Sequence, residues 1–146
     1  MCILSKFSET LSALMCERNI KAPALAEILK TDRSNITRYL HGDRLPLFHG
    51  FIALLEFFNV SADVLLGLAD YSSTQEFSPV APFSSRLRAV MDETKTSQYA
   101  LVKNANVSGA SLYQWLFGKS VPSVESLVKL ATYMDVSVDY LLGRTK

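Results

Sequence analysis

The sequence predicts an all-α protein made of two tandem five-helix units, and three observations carry that prediction. Apolar side chains recur at helical spacing and never alternate as a strand would require. The chain matches itself at a constant shift of 76 residues without gaps. Between the two copies, "ADYSSTQEFSPVAP" is rich in Ser and Pro and lacks periodicity, as a linker does.

The repeat assigns residues 1–67 to a first unit, 68–82 to the linker and 83–146 to a second unit. Phe7, Leu11, Met15, Leu25, Leu40, Gly42, Pro46, Leu54, Val60, Asp63, Leu65, Leu66 and Gly67 recur as Phe83, Leu87, Met91, Leu101, Leu116, Gly118, Pro122, Leu130, Val136, Asp139, Leu141, Leu142 and Gly143. Most of these are apolar or glycine, so the repeated part is a core with its turns, and the variable part is the surface.

In the first helix Phe7, Leu11, Leu14 and Met15 share one face, as Phe83, Leu87, Val90 and Met91 do in its counterpart. A second helix opens near Pro23, a favoured first-turn residue, and turns Leu25 and Leu29 inward; its partner starts at about Gln98 with Leu101 and Ala105. Asp32 and Ser108 stand where an N-cap accepts the free backbone N–H groups of a third helix. Its inward residues are Ile36, Tyr39 and Leu40, or Leu112, Trp115 and Leu116, and Gly42 or Gly118 ends it. A fourth helix is expected over 47–58 and 123–134, with Ser123 as a cap. A short fifth opens at Ser61 or Ser137, with Asp63 or Asp139 in a first turn whose dipole favours an anion.

Composition narrows the function classes. With 146 residues, 49% hydrophobic and 20% charged, the chain can bury a core, and its formal net charge of +1 excludes a general polyanion binder. Apolar runs such as "FIALLEFF" are too short to span a bilayer, and "MCILSKF" is too short for a signal peptide, so a soluble cytoplasmic protein is expected. Cys2 and Cys16 read as free thiols, and with His41 and His49 they make no metal-ligand set. No phosphate loop or nucleophile motif is present, so neither an enzyme nor a cofactor is expected.

The passages "PALAEILKTDRSNITRYLHGDRLP" and "QYALVKNANVSGASLYQWLFGKSVP", with the endings "FNVSADVLLG" and "MDVSVDYLLG", resemble the Cro/phage-repressor (Xre-type, lambda repressor-like) helix-turn-helix regulators. The resemblance covers nearly the whole chain, once in each unit. It implies double-stranded DNA as partner, with the second helix across the backbone and the third in the major groove. Carried over by position, the DNA-facing residues are Arg33, Ser34, Asn35, Thr37 and Arg38, with Arg44 just past the helix for a phosphate. Arginine presents a forked donor that matches guanine O6 and N7.

The second unit offers Gly109, Ala110, Ser111, Tyr113 and Gln114 on the matching face, with Gln98 at the start of its second helix where the first unit has Ala22. Its two leading positions lack polar reach, so its direct readout is weaker. Tyr113 reads equally as a DNA contact or as a partly buried surface aromatic, and Gly109 as a bare position or as a turn that brings the backbone close to phosphate. Residues 1–70 carry seven basic against eight acidic side chains and residues 83–146 eight against five. The expectation is therefore a transcriptional regulator, most simply a repressor, whose first unit reads bases while the second grips the backbone or dimerises. The competing reading is an interaction or dimerisation module that keeps the fold without DNA, such as an antitoxin-like or accessory regulator. Phe57 and its counterpart Tyr133 suggest an interface, or a residue tucked into its own core. A 15-residue linker extends to roughly 50 Å. That exceeds the roughly 34 Å between successive major-groove faces, so one chain can act as its own dimer as an alternative to a homodimer.

Overall fold

The computed structural model describes residues 3–70 and 76–145, and every regular element among them is a helix. The chain divides into two compact units, Met1–Gln75 and Glu76–Lys146. The first holds α1 (Ile3–Glu17), α2 (Ala22–Leu29), α3 (Arg33–His41), α4 (Phe48–Phe58) and α5 (Ala62–Leu65). The second holds α6 (Phe83–Glu93), α7 (Gln98–Asn104), α8 (Gly109–Leu116), α9 (Val124–Met134) and α10 (Val138–Leu142). Both ends of α9 lie 76 positions beyond those of α4.

In each unit the repeated apolar positions form the core. Phe7, Leu11, Leu25, Ile36, Leu54, Leu65 and Leu66 are fully buried, as are Leu87, Leu101, Leu130 and Leu141. Each such side chain contributes about 1.5–3 kcal/mol relative to remaining exposed. Leu29 and Leu40, expected inward, are only half-buried. In α4 the run "FIALLEFF" is absorbed internally, with Phe51, Leu54, Leu55 and Phe58 all buried. Phe57 is half-buried beneath Arg18, whose Cζ lies 5.5 Å from its ring centroid. It therefore packs within its own unit, and its counterpart Tyr133 instead accepts a hydrogen bond from Asn104 Nδ2 at 3.3 Å.

Helices this short are defined by their ends. Ser61, Ser97, Ser108, Ser123 and Ser137 each accept the N–H three residues on. Pro23 lies in the first turn of α2, and Gly42 ends α3 in the left-handed region at φ 76°. Asp32 departs from expectation: it occupies the N-cap position of α3 with extended backbone, but its carboxylate makes no capping bond. The Asn35 N–H instead reaches the Asp32 carbonyl at 3.0 Å, closing the turn through the backbone.

The C-terminal end holds the largest surprise. Asp139, expected as a helix-dipole anion, is bonded to Arg144 at 2.8 Å with both side chains 2% exposed. The Arg144 guanidinium also lies over Phe77 at 4.2 Å, and the Arg144 carbonyl accepts the Ser78 N–H at 2.8 Å. Phe77 and Ser78, assigned to the linker on sequence, are thereby fastened to the second unit, the ring by the Arg144 guanidinium and the backbone N–H by the Arg144 carbonyl. Residues 71–75 of that linker, and Cys2, lie outside the described residues. Cys16 is an exposed free thiol.

Removing one partner from a buried ion pair strands the other, at a cost of about 3–5 kcal/mol. We therefore predict that Asp139→Ala lowers the unfolding free energy of the second unit by about that amount. Urea denaturation followed by Trp115 fluorescence measures it; a loss below 1 kcal/mol, roughly that of an exposed pair, would show that the pair is not structurally important.

Candidate nucleic-acid interface

In the first unit α2 and α3 pack on each other and α1 packs on α3. The turn between them is Lys30–Asp32, with Lys30 left-handed at φ 56° and the Thr31 N–H bonded to the Ala26 carbonyl at 2.9 Å. With Ile36 and Tyr39 buried, helical periodicity leaves Arg33, Ser34 and Arg38 on the exposed side of α3. Arg44, also exposed, folds back so that Nη2 donates to Asn35 Oδ1, while Asn35 Nδ2 donates to Thr31 Oγ1 at 2.8 Å. Burial pushes the Tyr39 hydroxyl above its usual pKa, and the hydrogen-bonded Arg44 guanidinium opposes that rise.

The residues named from sequence thus divide by task. Each end of the half-buried Asn35 amide makes one hydrogen bond, which holds Arg44 in place and leaves the second amide N–H and the second oxygen lone pair outside these two bonds. Thr37 spends its hydroxyl proton on the Arg33 carbonyl at 3.1 Å. Arg33, Ser34 and Arg38 remain as outward-facing groups, with Arg44 held beside them.

The second unit repeats the frame with different surface chemistry. Gly109 is the first residue of α8, is exposed, and has room for a side chain: an added Cβ would meet only Val102 Cγ2, at 3.9 Å. Packing does not demand glycine there, so the residue leaves the leading end of α8 bare. Ser111 is half-buried with its N–H on the Ser108 hydroxyl at 3.0 Å, and Gln114 accepts from Ser120 Oγ at 3.2 Å. Gln98 opens α7 and lines a cleft of about 450 Å³ with Arg88, Lys95 and Ser97.

Tyr113 is 49% exposed, and it forms part of a stack that sequence reasoning missed. Its ring lies 4.4 Å from that of Phe117, itself 57% exposed; Lys119 Nζ sits over Tyr113 at 5.4 Å and Arg88 Cζ over Phe117 at 5.1 Å. The signal was present in "LYQWLFGK", where the two aromatics stand four residues apart on one helix face.

Several basic side chains of the second unit are engaged within it. Arg86 donates to the Tyr140 carbonyl, Arg88 to the Leu116 carbonyl, and Arg144 is in its buried pair. The basic excess of the second unit is therefore partly consumed in holding helix ends, and less of it faces outward than its sequence suggests.

Residues 87–141 match the helix-turn-helix family model. The match runs from α6 to α10, includes the whole of α7 and α8, and supports a DNA-binding regulator with double-stranded DNA as its partner. No curated protein and no solved structure matches the chain. Among the described residues no helix is long and apolar enough to cross a membrane, and no group of three or more His, Cys, Asp or Glu is placed to hold a metal ion.

The contrast between the two third-helix caps is testable. Ser108→Ala should cost about 0.5–2 kcal/mol of stability because a real capping bond is lost. Asp32→Ala should stay within about 0.5 kcal/mol, as for an exposed side chain without a specific partner. Thermal unfolding of each variant measures the pair, and equal losses would mean that the Asp32 carboxylate caps α3 in solution.

Proposed function

We propose that this chain is a sequence-specific transcriptional regulator of the Xre type, a repressor without enzymatic activity or cofactor, acting in the cytoplasm on double-stranded DNA. The observation that carries this reading is the outward face of α3, where Arg33, Ser34 and Arg38 stand together and Arg44 is held beside them by Asn35. The helix-turn-helix match in residues 87–141 supports the same reading from the other unit, and the 76-residue repeat extends it to the first.

On this reading α3 enters the major groove and supplies most of the base readout, because two guanidinium groups can each address a guanine edge. The second unit, with Gly109 and Ala110 bare and Tyr113 exposed, contributes backbone grip, apolar contact or dimerisation. Binding is by a homodimer or by the two units of one chain as a pseudo-dimer. The contact of Phe77 with Arg144, and the place of Ala69 and Asp70 in the lining of a first-unit cleft, leave residues 71–76 as the stretch between the units. Six extended residues reach at most about 20–22 Å. The roughly 34 Å between successive groove faces must then be met in part by the width of the units themselves.

Arg33→Ala and Arg38→Ala should each weaken specific binding by about 1–3 kcal/mol and relax preference at one base pair. Arg44→Ala should weaken all sequences alike and flatten the salt dependence of affinity. Selection from random DNA followed by titration at two salt concentrations distinguishes the cases. Unchanged specificity in both Arg33→Ala and Arg38→Ala would remove α3 from the groove. The division of labour is tested by separating residues 1–75 from 76–146, each checked for helical folding. It would be reversed if the second fragment alone selected a defined sequence while the first bound none.

A further inference from the structure

Between α1 and α5 of the first unit lies a cavity of about 500 Å³, within the roughly 300–1,000 Å³ typical of small-molecule sites. Leu14, Val60 and Val64 give it an apolar floor, and Glu9, Glu17 and Asp70 stand around it with Lys6. Lys6 Nζ is 3.8 Å from Glu9, which leaves the lining acidic on balance.

The equivalent place in the second unit is filled by that unit's own side chains. Arg86, at the position corresponding to Thr10, lays its guanidinium 5.1 Å from the centroid of the Tyr140 ring and donates Nη2 to the Tyr140 carbonyl at 2.6 Å. Tyr140, corresponding to Val64, donates its hydroxyl to Glu93, the counterpart of Glu17. The first unit keeps the carboxylate and the helix-end carbonyl of this arrangement, while Thr10 and Val64 supply neither the ring nor the guanidinium, and the Lys6 alkyl chain lies on Gly67 where Arg86 lies on Gly143. Gly67 and Gly143 hold the two helix ends alike, each with its N–H on the carbonyl of residue 64 or 140 at 3.0 Å.

We propose that this cavity binds a small organic cation in which an aromatic ring carries a guanidinium or amine on a short linker. The ring lies on Leu14, Val60 and Val64 in place of the missing tyrosine. The cation reaches the Val64 carbonyl in place of the missing arginine and the Glu17 carboxylate in place of the missing tyrosine hydroxyl, both charge-assisted contacts. The inference is independent of DNA recognition, since it uses the opposite pair of helices from those that form the turn motif.

The test is a titration of the full chain with benzylguanidinium, read by amide chemical shifts, with neutral benzylurea as control. Saturable shifts confined to α1, α5 and the residues between Val60 and Asp70 are expected, with benzylurea at least tenfold weaker. Glu17→Gln should weaken benzylguanidinium at least tenfold with the helical signal unchanged. Thr10→Arg combined with Val64→Tyr should abolish binding by rebuilding the filling found in the second unit. Equal binding of the charged and neutral probes, unchanged binding by Glu17→Gln, or the absence of saturable shifts would each overturn the proposal, even if the double variant failed to fold. Wild-type affinity in a folded double variant would also overturn it.

Discussion

Every part of this protein depends on how short helices satisfy their ends. A helix leaves four N–H groups and four carbonyls without internal partners at its termini. With helices of 4 to 15 residues, terminal groups make up much of the backbone. Serine hydroxyls answer the amino ends, and left-handed residues such as Gly42, Asn59 and Gly143 answer many carboxyl ends. Where those are not enough, arginines do it over long sequence distances: Arg18 donates to the Phe57 and Phe58 carbonyls, Arg86 to Tyr140 and Arg88 to Leu116. Cations suit these ends twice over, as donors and as complements to the negative end of the helix dipole.

That use of arginine constrains function. A guanidinium turned onto a carbonyl is not available to a phosphate without breaking the bond it makes. The second unit looks strongly basic as a string of letters, yet Arg86, Arg88 and Arg144 are engaged within it, and Lys119 is drawn over the Tyr113 ring. In the first unit Arg18 is used in the same way, but the arginines of α3 are not. Arg33 and Arg38 lie on a helix whose end is closed by Gly42, so their side chains are not needed to cap it. Arg44 is the intermediate case, anchored through Asn35 at a surface where it stays exposed.

The core was legible in the sequence because it is written twice. Positions such as Leu25 and Leu101, or Leu65 and Leu141, can change little without opening a cavity in a unit this small, and helix ends at serine and glycine follow from local chemistry. What stayed hidden were pairings between positions the repeat does not share. Arg144 corresponds to Leu68, so nothing in the first unit foreshadows its buried bond to Asp139 or its hold on Phe77. On α3, the outward set of Arg33, Ser34 and Arg38 could be named from helical period alone. The commitments of Asn35 and Thr37 could not, because they depend on which rotamer a short polar side chain adopts. Tyr113 was visible as a letter, but its stacking on Phe117 required the end of α8 to be placed first.

A duplicated scaffold with separate surfaces also explains how so unequal a pair of faces persists in one chain. Tethering turns the second binding event into an intramolecular one, so a unit with little sequence readout still adds affinity if both can reach one duplex. Under that condition the second face is released from carrying specific donors, and its exposed positions can drift toward glycine, alanine and aromatics while the caps and core remain fixed. The same logic applies inside the bundle. Where the second unit spends Arg86 and Tyr140 to close the space between its first and last helices, the first leaves Thr10 and Val64 and an open cavity. Neither choice disturbs the shared frame of Leu11, Leu65 and Leu66 or its counterpart, so the surface of each copy is free to specialise.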